Sequence, residues 1–337
     1  NHPDRVRWSA ANEETDMDQD ADTQADSEDL ESSDGGGGAI QRGFGGEYGV
    51  ILQERSIWRQ SYLGGDIVFQ FDEVEKNRGL FAPGAAARYG RFVYYLAEDG
   101  FYRFDGTSST PIGRNKIDAT FFNELDESFK HRITTVISPL DSVVLWSYTT
   151  SGTAGNGDPD KIIAFNWSTN RWSRIEVDHE ILLAALSVGR TLDGLDAVST
   201  DLDALAFSLD SRVWTGGAAT LATFDRAHKL NLLTGTPLTA VFETAERQLS
   251  PGQFSTPTSV RSLVEGTSAT ATIQVGKRTN SGDSVTFGAV ISENDNGEHP
   301  CRDQNLSDRY HRIRLNVSGG FDDVQAVEVE YHPAGWQ

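Results

Sequence analysis

Residues 91–113, RFVYYLAEDGFYRFDGTSSTPIG, leave this chain few ways to fold. In Phe92-Val93-Tyr94-Tyr95-Leu96 every side chain is β-branched, aromatic or aliphatic, which suits a pleated surface packed on both sides. Glu98-Asp99-Gly100 supplies the left-handed turn that a hairpin needs. The strand returns as Phe101-Tyr102-Arg103-Phe104, with Tyr102 and Phe104 on one face and Phe101 and Arg103 on the other. Asp105-Gly106 then turns the chain again toward Thr110-Pro111-Ile112-Gly113. The expected product is a meander of short antiparallel strands.

The same grammar recurs. Residues 48–60 read as strand, turn and strand, and the apolar signal continues over 62–71. Val143-Val144-Leu145-Trp146-Ser147-Tyr148 reads as a buried strand that pairs with Lys161-Ile162-Ile163-Ala164-Phe165-Asn166 across the Gly/Asn/Asp/Pro loop at 151–160. A polar turn between Trp167 and Trp172 leads on to Ile175 and Val177. A lone hairpin cannot bury its own face, so units repeating at roughly 45 to 60 residues are expected to stack or circle around a shared core. The resulting fold class is all-β: a β-propeller-like body of antiparallel meander blades with few short helices.

One helix is expected over 115–129, where Ile117, Phe121, Leu125 and Phe129 recur at intervals of four. Ile181-Leu182-Leu183-Ala184-Ala185-Leu186 reads as a buried strand and Arg212-Val213-Trp214 as a strand end, separated by a loop at 191–210 rich in Asp and Leu. The body is assigned 1–245. Residues 246–337 form a separate β-sandwich or barrel module with strands over 259–263, 269–276, 311–317 and 324–331. Within it Ala271, Ile273 and Val275 share one face, as do Val327, Val329 and Tyr331.

The formal net charge of -21 argues against any unaided grip on nucleic acid through phosphate neutralisation. Eleven of the carboxylates lie in one run from Glu13 to Asp34 that contains no Lys or Arg. The chain outside that run is still acidic. Gly35-Gly36-Gly37-Gly38 closes the run as a hinge, so an acidic loop is expected over 13–38. A single cysteine, Cys301, excludes an intrachain disulfide and a zinc site made of cysteines, as suits assembly in a reducing cytoplasm. No apolar stretch approaches the roughly 18 residues that span a bilayer, so no membrane insertion is expected. The chain opens on Asn1 and runs at once into the strand pattern Arg5-Val6-Arg7-Trp8-Ser9, from which earlier residues are expected in the native product.

Between Gly46 and Gly113 the strings EYGVILQERSIWRQ, DIVFQFDEVEKNRGLFAPGAAARYGRFVYYLAEDGFYRFDG and TPIG resemble the tail nozzle or hub proteins of short-tailed bacteriophages, including those of the packaged-DNA stabilisation type. NHPDRVRWS at the start, SLDSRVW at 208–214 and RYHRIRL at 309–315 are similar to the same group. The resemblance implies a β-propeller with an added β domain and a homo-hexameric ring that extends the DNA channel below the portal and adaptor. It implies docking of the adaptor protein, of tail fibres or spikes, and of a plug or needle. Genomic DNA would pass transiently without specific binding. The location implied is the virion tail, after assembly in the host bacterial cytoplasm, with no catalysis and no cofactor. The competing reading is a tail-associated receptor-binding or polysaccharide-degrading propeller protein, and a third is a cellular propeller scaffold for protein partners.

Against that background the acidic run is the one candidate site. Asp16, Asp18, Asp20, Asp22, Asp26, Glu28 and Asp29 would line the lumen or a subunit contact, as against a plain solvated loop. The alternation over 16–22 lacks the central glycine of a calcium loop, and Ser27 stands where the bidentate Glu belongs. His131, His179, His228, His311 and His332 are not at metal-ligand spacing. Asp126 with Glu127, or Glu243 with Glu246, offers a carboxylate pair of glycosidase type, but an acid-rich chain supplies such pairs by chance. Ser168-Thr169-Asn170-Arg171-Trp172 lacks the glycine of a sialidase Asp box. The glycines at 35–38 and 43–46 precede no helix and no Lys-Ser or Lys-Thr pair, so they give no phosphate loop. Trp58, Trp146, Trp167 and Trp172 serve as core residues or as stacking platforms for sugars or bases.

Overall fold

The computed structural model describes residues 2–10, 13–19, 24–33, 35–65, 67–152, 157–186, 199, 201, 219–233, 238–302 and 304–335. The chain divides into two compact units, Asn1–Leu233 and Thr234–Gln337. The loop expected at 191–210, apart from Ser199 and Asp201, and the strand end at Arg212-Val213-Trp214 lie outside the described residues.

The first unit opens with a hairpin of β1 (Arg5–Trp8) and β2 (Asp26–Asp29). Three four-stranded meanders follow. β3 (Ile40–Phe44), β4 (Gly49–Gln53), β5 (Ser56–Tyr62) and β6 (Phe69–Lys76) pair in chain order. So do β7 (Ala86–Tyr89), β8 (Phe92–Ala97), β9 (Gly100–Phe104) and β10 (Ser109–Pro111). Helix α1 (Asp118–Glu124) leads to β11 (Thr134–Ser138), β12 (Val143–Tyr148), β13 (Lys161–Asn166) and β14 (Arg171–Glu176). A three-stranded sheet of β15 (Ile181–Leu186), β16 (Ala219–Phe224) and β17 (Leu230–Leu232) ends the unit.

Turn chemistry sets these registers. Ala97 pairs directly with Gly100 across Glu98-Asp99, and Gly100 takes φ +146°, a conformation that side-chain-bearing residues rarely adopt. Between β13 and β14 the Asn166 carboxamide oxygen accepts the amides of Ser168 and Thr169, both at 3.0 Å, and Asn170 sits at φ 56°.

The fold is all-β, but the expected propeller is not what these sheets make. Each is an open row of strands, and none is closed into a barrel or curled into a propeller. A propeller needs its last sheet to return onto its first around one axis. Here one large apolar cluster joins the first three sheets, from Val50 and Ile57 through Phe101 to Trp146 and Phe165. A second joins β11–β13 to β15 and β16 through Val136, Leu145, Ile162, Leu182 and Leu221. Among the described residues no cluster leads from the fourth sheet back to the first. β15 also differs from the buried strand expected: Ile181 and Leu186 are exposed.

The expected 115–129 helix is broken in two. Asn115 is left-handed at φ 59°, so α1 starts only at Asp118. It ends because Leu125 is extended and forms an antiparallel bridge with Thr150. Asp126 then accepts the Ser128 amide and starts a separate 3-10 turn, Glu127–Arg132.

The second unit holds two open sheets. One is ordered β18 (Ala240–Glu243), β24 (Tyr310–Ser318), β20 (Thr270–Arg278) and β21 (Thr286–Phe287), with β22 (Ile291–Ser292) also on β20. The other is ordered β23 (His299–Pro300), β19 (Phe254–Gly266) and β25 (Phe321–Gly335). Of the sandwich or barrel expected here, the barrel is not made, since neither row closes; the two rows face each other over one core. They share a cluster of Val260, Ala271, Ile273, Val275, Ile313, Leu315 and Val317, because alternate residues of β20 and β24 point to one side. Val327 and Val329 pack on that cluster, whereas Tyr331 is exposed, beyond the register shift between Pro257 and Ser259. No helix among the described residues is long and apolar enough to cross a membrane.

Candidate functional surfaces

The acidic run proves to be part loop and part strand. Asp26, Glu28 and Asp29 belong to β2, which pairs antiparallel with β1. The Arg5 guanidinium donates to both Asp29 carboxylate oxygens, each at 2.6 Å. That bidentate pair holds the Asp29 carboxyl below its ordinary range. Trp8 packs edge-on against Phe69 at 5.4 Å and donates its indole N–H to the Gln24 carbonyl at 2.9 Å. Leu30 is buried against Ile51 and Trp58, and its carbonyl accepts the buried Gln53 amide at 3.0 Å. Ser32 and Ser33 donate to Glu73 of β6. The segment is thus strapped to the first meander at several points.

Of the seven candidate carboxylates, Asp18, Asp26 and Glu28 are exposed, Asp16 and Asp29 are half-buried, and Asp20 and Asp22 lie outside the described residues. Asp16 accepts the Asp18 amide at 3.1 Å, closing a local turn. Among the described residues no three His, Cys, Asp or Glu side chains converge as a metal site would require.

The carboxylate pairs singled out in the sequence are committed elsewhere. Asp126 caps the 3-10 turn. Glu243 receives Arg312 at 2.7 Å and Arg314 at 3.0 Å, and Glu246 receives Arg278 at 2.6 Å. Burial pushes the Glu243 carboxyl up, but the two arginines outweigh it and hold it below the usual range. A general acid for glycoside cleavage needs the opposite shift.

Two buried serine–histidine contacts went unforeseen. Ser147 and His179 meet at 2.6 Å between Oγ and Nε2, and the other ring nitrogen lies 2.8 Å from the Val177 carbonyl. With Nδ1–H donating to that carbonyl, Nε2 is left to accept the serine proton, as in an activated nucleophile. Both residues, however, are fully buried, so the contact closes a gap between β12 and the segment after β14. In the second unit the ring of His311 lies 2.9 Å from the Leu306 carbonyl and 3.5 Å from Ser255, again within the core. Burial pushes both imidazoles down, favouring neutral rings. Each histidine is separated from its serine by many residues of chain, so no spacing rule could have found either contact.

His228 is exposed and meets Glu180 at 2.8 Å; His332 is exposed on β25. His131 lies beside a cleft of about 280 Å³ with Gln41, Glu54, Arg55, Glu98 and Lys130. The charges there are mixed and exposed. Trp146 is fully buried, and Trp58 nearly so, as core residues; Trp167 and Trp172 are partly buried against the core.

The surface with the least internal compensation is on β25. Asp322, Asp323, Glu328 and Glu330 are exposed, and none has an ion pair or side-chain hydrogen bond among the described residues. Opposite them on β19, Glu265 faces Asp323, a like-charge cross-strand pair, and Arg261 faces Glu328 but is engaged with Glu298 at 3.1 Å. These carboxylates are fixed on a strand rather than carried by a loop. The chain matches no protein-family model and no curated protein.

Proposed function

We propose that this chain is a structural virion protein: a subunit of the ring-shaped tail nozzle or hub of a short-tailed bacteriophage, homo-hexameric and placed below the portal and adaptor. The reading rests on the tail-protein resemblance of residues 46–113, and the observation that carries it is the acidity of the chain as a whole, a formal net charge of -21. A duct for DNA must not hold it. Each Lys or Arg on phosphate releases counterions and grips the duplex, whereas fixed carboxylates repel it and let it slide. Some arginines that could grip are committed to carboxylates: Arg5 to Asp29, Arg278 to Glu246, and Arg312 and Arg314 to Glu243. In this reading the exposed edges and rims meet the adaptor, the fibres or spikes, and a plug or needle.

Native mass spectrometry, alone and with the adaptor, together with an image of the virion labelled with antibody to this chain, tests the reading. The expected results are a ring of six 36.9 kDa subunits, a label around the DNA exit, and no retention of duplex DNA at ordinary salt. A monomer or trimer that clears host polysaccharide, or tight duplex binding, overturns it.

A further inference from the structure

The free edge of β25 is the least finished part of the second unit. The strand runs for fifteen residues, about 50 Å at roughly 3.3 Å per residue, and it pairs with β19 along nearly its whole length. It is also the last strand of its sheet, so among the described residues no strand takes up its other edge. Such an edge presents a row of backbone N–H and C=O groups to any extended chain.

Its two ends carry the devices that blunt an edge. Register shifts fall beside Gln325 and Asp322 at one end and beside Ala334 at the other, and Pro333 offers no N–H. Between them Ala326-Val327-Glu328-Val329-Glu330-Tyr331-His332 has no bulge of its own. Val327 and Val329 pack toward the core, while Glu328 and Glu330 point outward. The stretch Ala326–Glu330 is therefore regular and uncovered, up to the shift that Thr258 of β19 introduces between Glu330 and Tyr331.

Charge selects the occupant. A second copy of β25 laid antiparallel would set glutamates against glutamates, which is unfavourable for directly opposed pairs. A strand with Lys or Arg at alternate positions would instead place cations about 5 Å from Glu328 and Glu330. We propose that the β25 edge, centred on Val327-Glu328-Val329-Glu330, accepts an extended segment of a partner protein as an added strand, with basic residues at every second position and apolar residues between them. The inference stands on the sheet edge and its charges and does not require the chain to line a DNA channel.

Fluorescence anisotropy with a labelled Lys-Val-Lys-Val-Lys-Val-Lys peptide tests it, alongside hydrogen exchange over 326–332. The expected results are saturable binding, new amide protection confined to that stretch, and at least a tenfold loss in the Glu328→Lys/Glu330→Lys variant. A peptide of equal charge with proline at its central position should also lose at least tenfold, because strand addition needs backbone donors. Equal binding of the proline peptide would reduce the interaction to bulk charge and overturn the proposal. So would unchanged binding to the double variant, no binding at all, or concentration-dependent protection of 326–332 in the protein alone, which would identify a second copy as the occupant. Both substitutions are at exposed positions, and a circular dichroism spectrum matching the unsubstituted protein confirms that the variant is folded.

Discussion

The two units solve the problem of joining sheets with different side chains. In the first, the largest fully buried residues are rings: Trp146, Tyr94, Tyr95, Tyr148, Phe101, Phe104 and Phe121. Phe101 of β9 lies 4.9 Å from Trp146 of β12, 5.0 Å from Phe121 of α1 and 5.0 Å from Trp172 of β14. One ring thus touches three other elements, and the joints between sheets are aromatic. In the second unit the core cluster is Val, Ile, Leu, Ala and the lone Cys301, with no buried aromatic. There two sheets face each other, and short branched side chains fill the space. Polar links are supplied by buried histidines: the ring of His299 lies 3.1 Å from the Val260 carbonyl and 3.3 Å from that of Ala271, spanning the two sheets. Rings reach across irregular junctions at 4.5–7 Å, whereas aliphatic alternation suffices where faces are flat and regular.

That contrast can be broken most directly at Trp146. Trp146→Ala should cost about 3–5 kcal/mol, since a ring at the meeting point of several elements leaves a cavity that no neighbour can fill. Urea denaturation followed by far-ultraviolet circular dichroism measures it. A loss under about 1 kcal/mol would mean that the aromatic joint is not where the first unit is held together.

Acid should next weaken both units by a shared route. The His179 and His311 rings are depressed by burial below the ordinary value of 6.5, so the unfolded chain binds the proton more readily than the folded one. Their contribution is complete above 6.5 and is lost as pH falls through the folded value, at about 1.4 kcal/mol for each unit of difference. Urea midpoints taken from pH 8 to 5 should fall, and fall less steeply in His179→Gln and His311→Gln. Parallel curves for variant and unsubstituted protein would remove these rings from the account.

A smaller effect is expected at Ile273. Ile273→Val removes one methylene from a flat aliphatic core and should cost about 0.5–1.5 kcal/mol. A larger loss than at Trp146 would invert the comparison. Glu328→Lys/Glu330→Lys should leave stability within about 0.5 kcal/mol, because both side chains are exposed and unpaired in the isolated chain.

The candidate surface was legible only in part. Val327-Glu328-Val329-Glu330 alternates visibly, so the sequence predicts a strand with one acid face. That this strand ends its sheet depends on its pairing with residues 254–266, and nothing local to it records that partner. The acidic run was visible as charge, but not the Arg5–Asp29 pair that turns part of it into β2, because that pair joins a residue ahead of the run to one near its end.

The sequence by itself determined many of the strands, the meander pattern and several turns, because alternation, Asp-Gly and Asn signals, and neighbour-to-neighbour pairing act over a few residues. It also determined the acidity. Only the tertiary structure decided how the sheets associate: in open rows, not closed into a propeller or a barrel. That outcome depends on which rings meet across sheets, such as Tyr94 on Trp167 at 5.8 Å, and on long-range contacts such as Leu125 with Thr150, which cut short a helix that local periodicity alone would have continued. Local geometry is coded where it is used; the packing of faces is settled by side chains far apart in the chain, and no short window contains both partners.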